Sequence, residues 1–403
     1  MNFLLNRSRL RPSLPEQLVG YTDMDSIYLD YSSTTPMDLT VVDAMSECYR
    51  RVSGNPSSQH QLGRHAKRVL EDAAESIGNH LAARVHQPRP DRVILTSGGT
   101  EANNLALLGL PHESPGRLIV SAIEHPSTLA AARELQRRGW QVDFLRVMES
   151  GVIDLNHLDE LLQRAPSVSL VAVMWANNET GVVQPIQHVV RRCEANDIPV
   201  HTDAVQVIGK RPVNFANLGV ASMSIAAHKF YGPPGIGALI LRSGITRQPI
   251  LFGGAQQLGL RPGTETVALA VGMRIALEAC GPHLALRSAH LRARRDQLEA
   301  RLLAGRPGSI VNGSAERIAS TLNLSFPGLD RQRLLIALDL AGIYCSSGSA
   351  CASGSSEPSH VLTAMGLSTE RVESAIRLSV GVPTTAADVE SSADRILKII
   401  NQL

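Results

Sequence analysis

Between Val93 and Leu241 short apolar runs alternate with amphipathic stretches, and nothing else in the chain constrains the fold as tightly. Strand, helix, strand in succession is the pattern of a parallel sheet covered by helices. The runs predict strands at Val93–Thr96, Leu118–Ser121, Val142–Leu145, Leu170–Trp175, Pro199–Thr202, Met223–Ala226 and Gly237–Leu241. Several are apolar without alternation, as strands buried on both faces should be. Helices are expected at Glu101–Gly109, Pro126–Arg138 and Ile186–Asn196, with Pro126 and Pro185 at helix entries that tolerate a missing N–H. The expected fold is α/β, with a mostly parallel seven-stranded sheet sandwiched by helices.

From about Thr266 a long helical region runs to about Leu303 and leads into a smaller α+β unit. There Thr321–Ser325 and Arg377–Val380 read as strands, and Arg331–Leu340 and Glu370–Ala375 as helices. The organisation expected is an N-terminal extension over 1–27, a large domain over 28–270 and a small C-terminal domain over 271–403. Within the last, Cys345 to Ser359 reads CSSGSACASGSSEPS, almost entirely small or polar, and is expected to be a mobile loop.

At 403 residues the chain can bury a sizeable core. Its 39 basic and 37 acidic residues leave a formal charge of +2, too small a field to hold nucleic acid. Five irregularly spaced cysteines make neither a disulfide framework nor a zinc site, so no metal is expected and a reducing, cytoplasmic location is. No apolar run approaches the roughly 20 residues that span a bilayer. Met1 to Leu14 holds Arg7, Arg9 and Arg11 with no acid before Glu16, a pattern shared by transit peptides and plain N-terminal extensions.

Polar residues gather just after the expected strands, where open α/β sheets bind ligands. The first strand opens into Ser97-Gly98-Gly99-Thr100, whose bare N–H groups and following helix suit a phosphate, or simply join two elements. The second runs into Glu124-His125-Pro126; His125 has the chemistry to stack on a flat ring or move protons, or to serve as a structural helix entry. Asn177-Asn178-Glu179-Thr180-Gly181 offers two amides as donors, or an ordinary turn. In His201-Thr202-Asp203-Ala204-Val205-Gln206 a carboxylate ends a buried strand and needs a cation, either a protonated pyridine nitrogen or a neighbouring Arg or Lys. Last comes Ala227-His228-Lys229 before Phe230-Tyr231-Gly232, where partial desolvation would expose a nucleophilic amine.

Taken together, YLDYSSTTP, GNPSSQH, TSGGTEANN, IEHPS, NNETG, HTDAVQ, AHKFYGPPGIG, GLRPGTE, SSGSAC and EPSHVL resemble the cysteine desulfurases of the NifS and IscS kind, within the fold-type I pyridoxal-phosphate enzymes. The resemblance implies pyridoxal 5'-phosphate as cofactor, linked covalently to Lys229. It further implies that His125 stacks on the ring, Asp203 holds the ring nitrogen protonated and Gln206 contacts the ring hydroxyl. Gly99, Thr100 and His228 would hold the phosphate, with Thr264 reaching the cofactor of the other subunit in a homodimer. Asn178, also counted in the cofactor site, and Arg377 would hold the carboxylate of L-cysteine. Cys351 would take the sulfur as a persulfide and deliver it to an acceptor protein for iron–sulfur clusters, tRNA thiolation or nucleic-acid sulfur modification. Cys345 follows apolar Gly342-Ile343-Tyr344 and is expected at a strand end. One departure stands out: where the family commonly has Ser in SxHK, this chain has Ala226, which either weakens phosphate binding or is offset by a neighbouring donor. A selenocysteine lyase or another lyase of the same fold is the nearest alternative, and a silent platform for acceptor proteins the next.

Overall fold

The computed structural model describes residues 26–110, 115–164, 167–348 and 357–403. Seven strands form the main sheet: β1 (Arg92–Thr96), β2 (Arg117–Ser121), β3 (Gln141–Leu145), β4 (Val168–Ala172), β5 (Val200–Asp203), β6 (Ser222–Ala226) and β7 (Gly237–Leu241). Their spatial order is β1-β7-β6-β5-β4-β2-β3. Only β7 runs antiparallel to its neighbours, so the carboxyl ends of the other six share one edge.

Alternate residues of single strands enter different cores. Leu118 and Val120 pack on one side of the sheet and Ile119 on the other; Leu239 and Leu241 part in the same way from Ala238 and Ile240. Apolar side chains on both faces explain why these runs show no alternation. The helices α1 (Gly99–Leu108), α2 (Pro126–Arg137) and α3 (Ile186–Glu194) follow β1, β2 and β4. The fourth strand is assigned to Ala172, three residues short of the expected Trp175: Val173 N and Trp175 N still donate to His201 O and Asp203 O of β5, but Met174 N–H donates to the Glu124 side chain.

The helical region expected from about Thr266 to about Leu303 consists of two helices, α4 (Val267–Cys280) and α5 (Leu284–Gly305), bent by 79°. Pro282 lies in the break, where its ring and missing N–H stop a helix from continuing. No single helix among the described residues is long and apolar enough to cross a membrane.

A second core lies beyond α5. The antiparallel strands β8 (Ile310–Val311), β9 (Thr321–Ser325) and β10 (Ala375–Ser379) pack Leu322, Leu324, Ile376 and Leu378 against Leu298, Leu334 and Ile396. Ile27 and Leu29 join this core, and a short strand at Ile27–Tyr28 pairs in parallel with Ile343–Tyr344. The chain therefore returns from its N-terminal side to the C-terminal core before building the large sheet, which brings the YLDYSS segment between the two.

Candidate active site

A cavity of about 390 Å³ opens at the carboxyl edge of the large sheet. It is lined by Gly99, Thr100, His125, Asn178, Asp203, Gln206, His228, Lys229 and Arg377, which are all but two of the residues expected to make the site. The exceptions are Thr264, exposed on a loop and absent from the cavity wall, and Cys351, which lies outside the described residues.

Each wall residue is placed by a strand end. The turn after β1 starts α1 at Gly98, which offers no side-chain cap, so the first N–H groups of the helix remain for a ligand. A Cβ on Gly99 would stand 2.9 Å from Val205 Cγ2 and 3.5 Å from Ala226 Cβ, filling the turn. Only glycine keeps this cradle open.

Asp203 closes β5, is 5% exposed, and has two neutral partners among the described residues: Asn103 Nδ2 donates to Oδ2 at 2.7 Å and Val205 N to Oδ1 at 2.9 Å. The Arg or Lys that an ordinary structural carboxylate would need is not there. A buried carboxylate without a cation is expensive, and a protonated ring nitrogen would supply the missing charge.

Lys229 follows β6 in a short 3₁₀ turn, and its Nζ donates to the carbonyls of Ser32 at 2.8 Å and Ser33 at 2.5 Å. Two main-chain oxygens of YLDYSS thus hold the ammonium in place. The next residue back, His228, bonds Thr34 Oγ1 at 3.2 Å, and burial together with Lys229 pushes its pKa down to about 4.

His125 caps α2, its Nδ1 accepting from Ser127 N at 3.2 Å. Burial lowers its pKa, assisted by Lys229 and His360 and opposed by Asp203, so the ring is held neutral.

The amide pair divides its labour. Asn177 is fully buried and organises the turn, its Oδ1 accepting from Glu179 N and Thr180 N at 2.9 Å each. Asn178 faces the cavity with a buried Oδ1 that meets no partner among the described residues.

Arg377 reaches in from β10. Its Nη2 donates to Asp30 Oδ1 at 2.5 Å and Ser33 Oγ at 2.7 Å, its Nη1 to Asn178 O at 2.9 Å, and its buried Nε is unpartnered among the described residues. The guanidinium is already oriented, with one N–H in reserve for a carboxylate.

Its backbone pairs with Ser346, so the run from Cys345 enters beside the site. Cys345 follows the short strand as expected; burial, reinforced by Asp30, pushes its thiol up to about 12, which makes it a poor nucleophile. On the far side of the run, Ser359 Oγ donates to buried Glu179 Oε2 at 2.5 Å.

Four contributors escaped the sequence reading. Asn103 sits four residues after Gly99, on the same face of α1, and its burial beside Asp203 emerges only in the fold. Ser32 and Ser33 act through carbonyls, which no side-chain pattern betrays. Lys210 is 6% exposed and donates to Gln206 Oε1 at 3.2 Å, while Gln206 Nε2 donates to Ser32 O.

Comparison with known proteins agrees with this geometry. The aminotransferase class-V family model matches residues 27–391. The chain belongs to that family. It is 39% identical to the IscS-like cysteine desulfurase of Mycobacterium tuberculosis, over 91% of this chain and 94% of that one. To the cysteine desulfurase NifS of Azotobacter vinelandii it is 36% identical, over 94% of each. Among solved structures, a NifS-like protein superposes with a TM-score of 0.85 at 32% identity, covering 94% of this chain and 100% of the other. DndA from Streptomyces lividans does so with a TM-score of 0.71 at 35% identity, covering 88% and 99%. Within the class-V family the chain therefore falls in the NifS/IscS branch, whose members use pyridoxal 5'-phosphate. The cavity fits that cofactor: an open anion cradle, a carboxylate short of a cation, and a lysine between them.

Proposed function

We propose that this chain is a cysteine desulfurase that converts L-cysteine to L-alanine and passes the sulfur, as a persulfide on Cys351, to an acceptor protein. The observation that carries the reading is Asp203, a buried carboxylate whose hydrogen-bond partners among the described residues are neutral, on the wall of the same cavity as Lys229. When bound, the cofactor supplies an electron sink conjugated to the substrate α-carbon.

Lys229 Nζ, presented by two carbonyls, is the amine that attaches the cofactor. Gly99, Thr100 and His228 would take the phosphate at the start of α1. His125, its pKa lowered by burial, would stack on the ring and accept or return a proton. Gln206 would meet the ring hydroxyl, while the Asn178 amide and Arg377 Nε–H, the latter unpartnered among the described residues, would hold the carboxylate of the amino acid.

The sulfur step balances without an outside oxidant. The Cys351 thiolate bonds to the substrate sulfur, the C–S bond breaks, and its electron pair with a proton stays on the β-carbon, giving alanine and a persulfide. The proposal also includes work in the cytoplasm and a homodimer in which Thr264 serves the neighbouring site.

Cys351→Ser tests the assignment. The variant should keep the coloured cofactor and lose persulfide formation completely. Sulfur transfer at the native rate would move the role to another thiol.

A further inference from the structure

Five buried side chains and the half-buried His125 form one hydrogen-bonded relay that runs inward from the cavity wall. Asn103 Nδ2 donates to Asp203 Oδ2 at 2.7 Å and to Ser127 Oγ at 3.0 Å. Its Oδ1 lies 3.3 Å from His201 Nε2, and His201 Nδ1 lies 2.9 Å from Ser222 Oγ. At the other end Ser127 Oγ stands 2.8 Å from His125 Nδ1. Asn103 is 1% exposed, and His201 and Ser222 are fully buried.

The direction of every bond follows from one fact. A carboxylate only accepts, so the amide NH₂ of Asn103 must face Asp203 and its oxygen must face His201. His201 then carries its proton on Nε2 and accepts the Ser222 hydroxyl on Nδ1. Burial, with Arg247, pushes the His201 pKa down to about 3, in keeping with a neutral ring. Toward the cavity, Ser127 Oγ takes the second Asn103 hydrogen and has its own hydrogen left for His125 Nδ1. That nitrogen also accepts from Ser127 N, so the neutral ring of His125 must carry its proton on Nε2.

On the reading of the cavity as a cofactor site, we propose that Asn103 is a positioning residue which, held by His201 and Ser222, keeps its NH₂ on Asp203 and so keeps that carboxylate an acceptor toward the ring nitrogen. His201 and Ser222 act only through Asn103.

The test uses the full-length protein with pyridoxal phosphate titrated into each variant and followed by absorbance. Asn103→Leu removes the donors at nearly constant volume and should weaken cofactor binding roughly tenfold, the order of effect of one hydrogen bond to a charged group. His201→Gln should weaken it less, and should add nothing in the Asn103→Leu background, since a residue acting only through Asn103 has no effect once Asn103 is gone. Nitrogen NMR of labelled cofactor in the holoprotein should show the ring nitrogen protonated in the native chain and less so in Asn103→Leu, where Asp203 has lost a donor. Native affinity and an unchanged ring-nitrogen signal in a folded Asn103→Leu protein overturn the inference, as does an undiminished His201→Gln effect in the double variant. Should Asn103→Leu not fold, Ser222→Ala takes its place: a few-fold loss of affinity is expected, and native affinity overturns the proposal. Failure of the native chain to bind the cofactor would instead sink the underlying reading, so the two failures are distinguishable.

Discussion

Lys210 is buried with a neutral amide oxygen as its hydrogen-bond acceptor, and the charges that act on it from nearby, Lys229 and Arg377, are cationic; Cys280 alone works the other way. Burial first, then Lys229, lowers its pKa from 10.5 to about 7. The unfolded chain holds that proton up to about pH 10. Between about pH 7 and 10 the unfolded state thus binds more protons at this site, and the site's contribution to unfolding free energy rises with pH. Below about pH 7 both states are protonated and the contribution is flat. The buried thiols of Cys193 and Cys345, pushed up to about 12, act in the opposite sense, so the comparison must be differential. Denaturant melts of native protein and Lys210→Met at pH 7 and 9.5 should show the native chain gaining stability relative to the variant as pH rises. Parallel pH dependences would contradict the assignment. At this scale the sequence made Lys229, Asp203 and His125 legible because each is a charged or titratable residue beside a strand end, whereas Arg377, in the middle of β10, was named only through the family resemblance. Asn103 and the Ser32 and Ser33 carbonyls were not legible, since their roles arise only when distant segments meet.

Elements were legible where their own residues decided them. The strand at Gly237–Leu241 and the helix at Arg331–Leu340 agree end to end with expectation. Both have local signals: a five-residue apolar run, and an Asp330 cap whose side chain accepts from Arg333 N. Boundaries failed where tertiary contacts decided them. The fourth strand is assigned only to Ala172 although Val173 N and Trp175 N still bond to His201 O and Asp203 O, since Met174 N turns to the Glu124 side chain, and the long helical region breaks at Gly281-Pro282. Glycine matters most at Gly237, where a Cβ would stand 2.5 Å from Ile225 O and 2.7 Å from Gly98 C. The close approach of β7 to the phosphate turn depends on it.

For the whole molecule, two surface features support the proposed dimer. Leu251, Phe252 and Leu258 are exposed, Phe252 at 89%, on the same segment as Gln256, whose Nε2 donates to Ser57 Oγ. Gln256 Oε1 in turn accepts from Gly263 N, next to Thr264. Burying this apolar group against a second chain would carry Thr264 with it. Sedimentation should give twice the 43.3 kDa chain mass, and Phe252→Asp should lower it to one chain; a native protein of single-chain mass would remove the dimer. The central claim is the covalent attachment of pyridoxal phosphate to one lysine, and its direct measurement is borohydride reduction of the coloured protein followed by peptide mapping. The account predicts a single pyridoxyl label on Lys229. A label on Lys210 or any other lysine, or none after saturation with the cofactor, would contradict it.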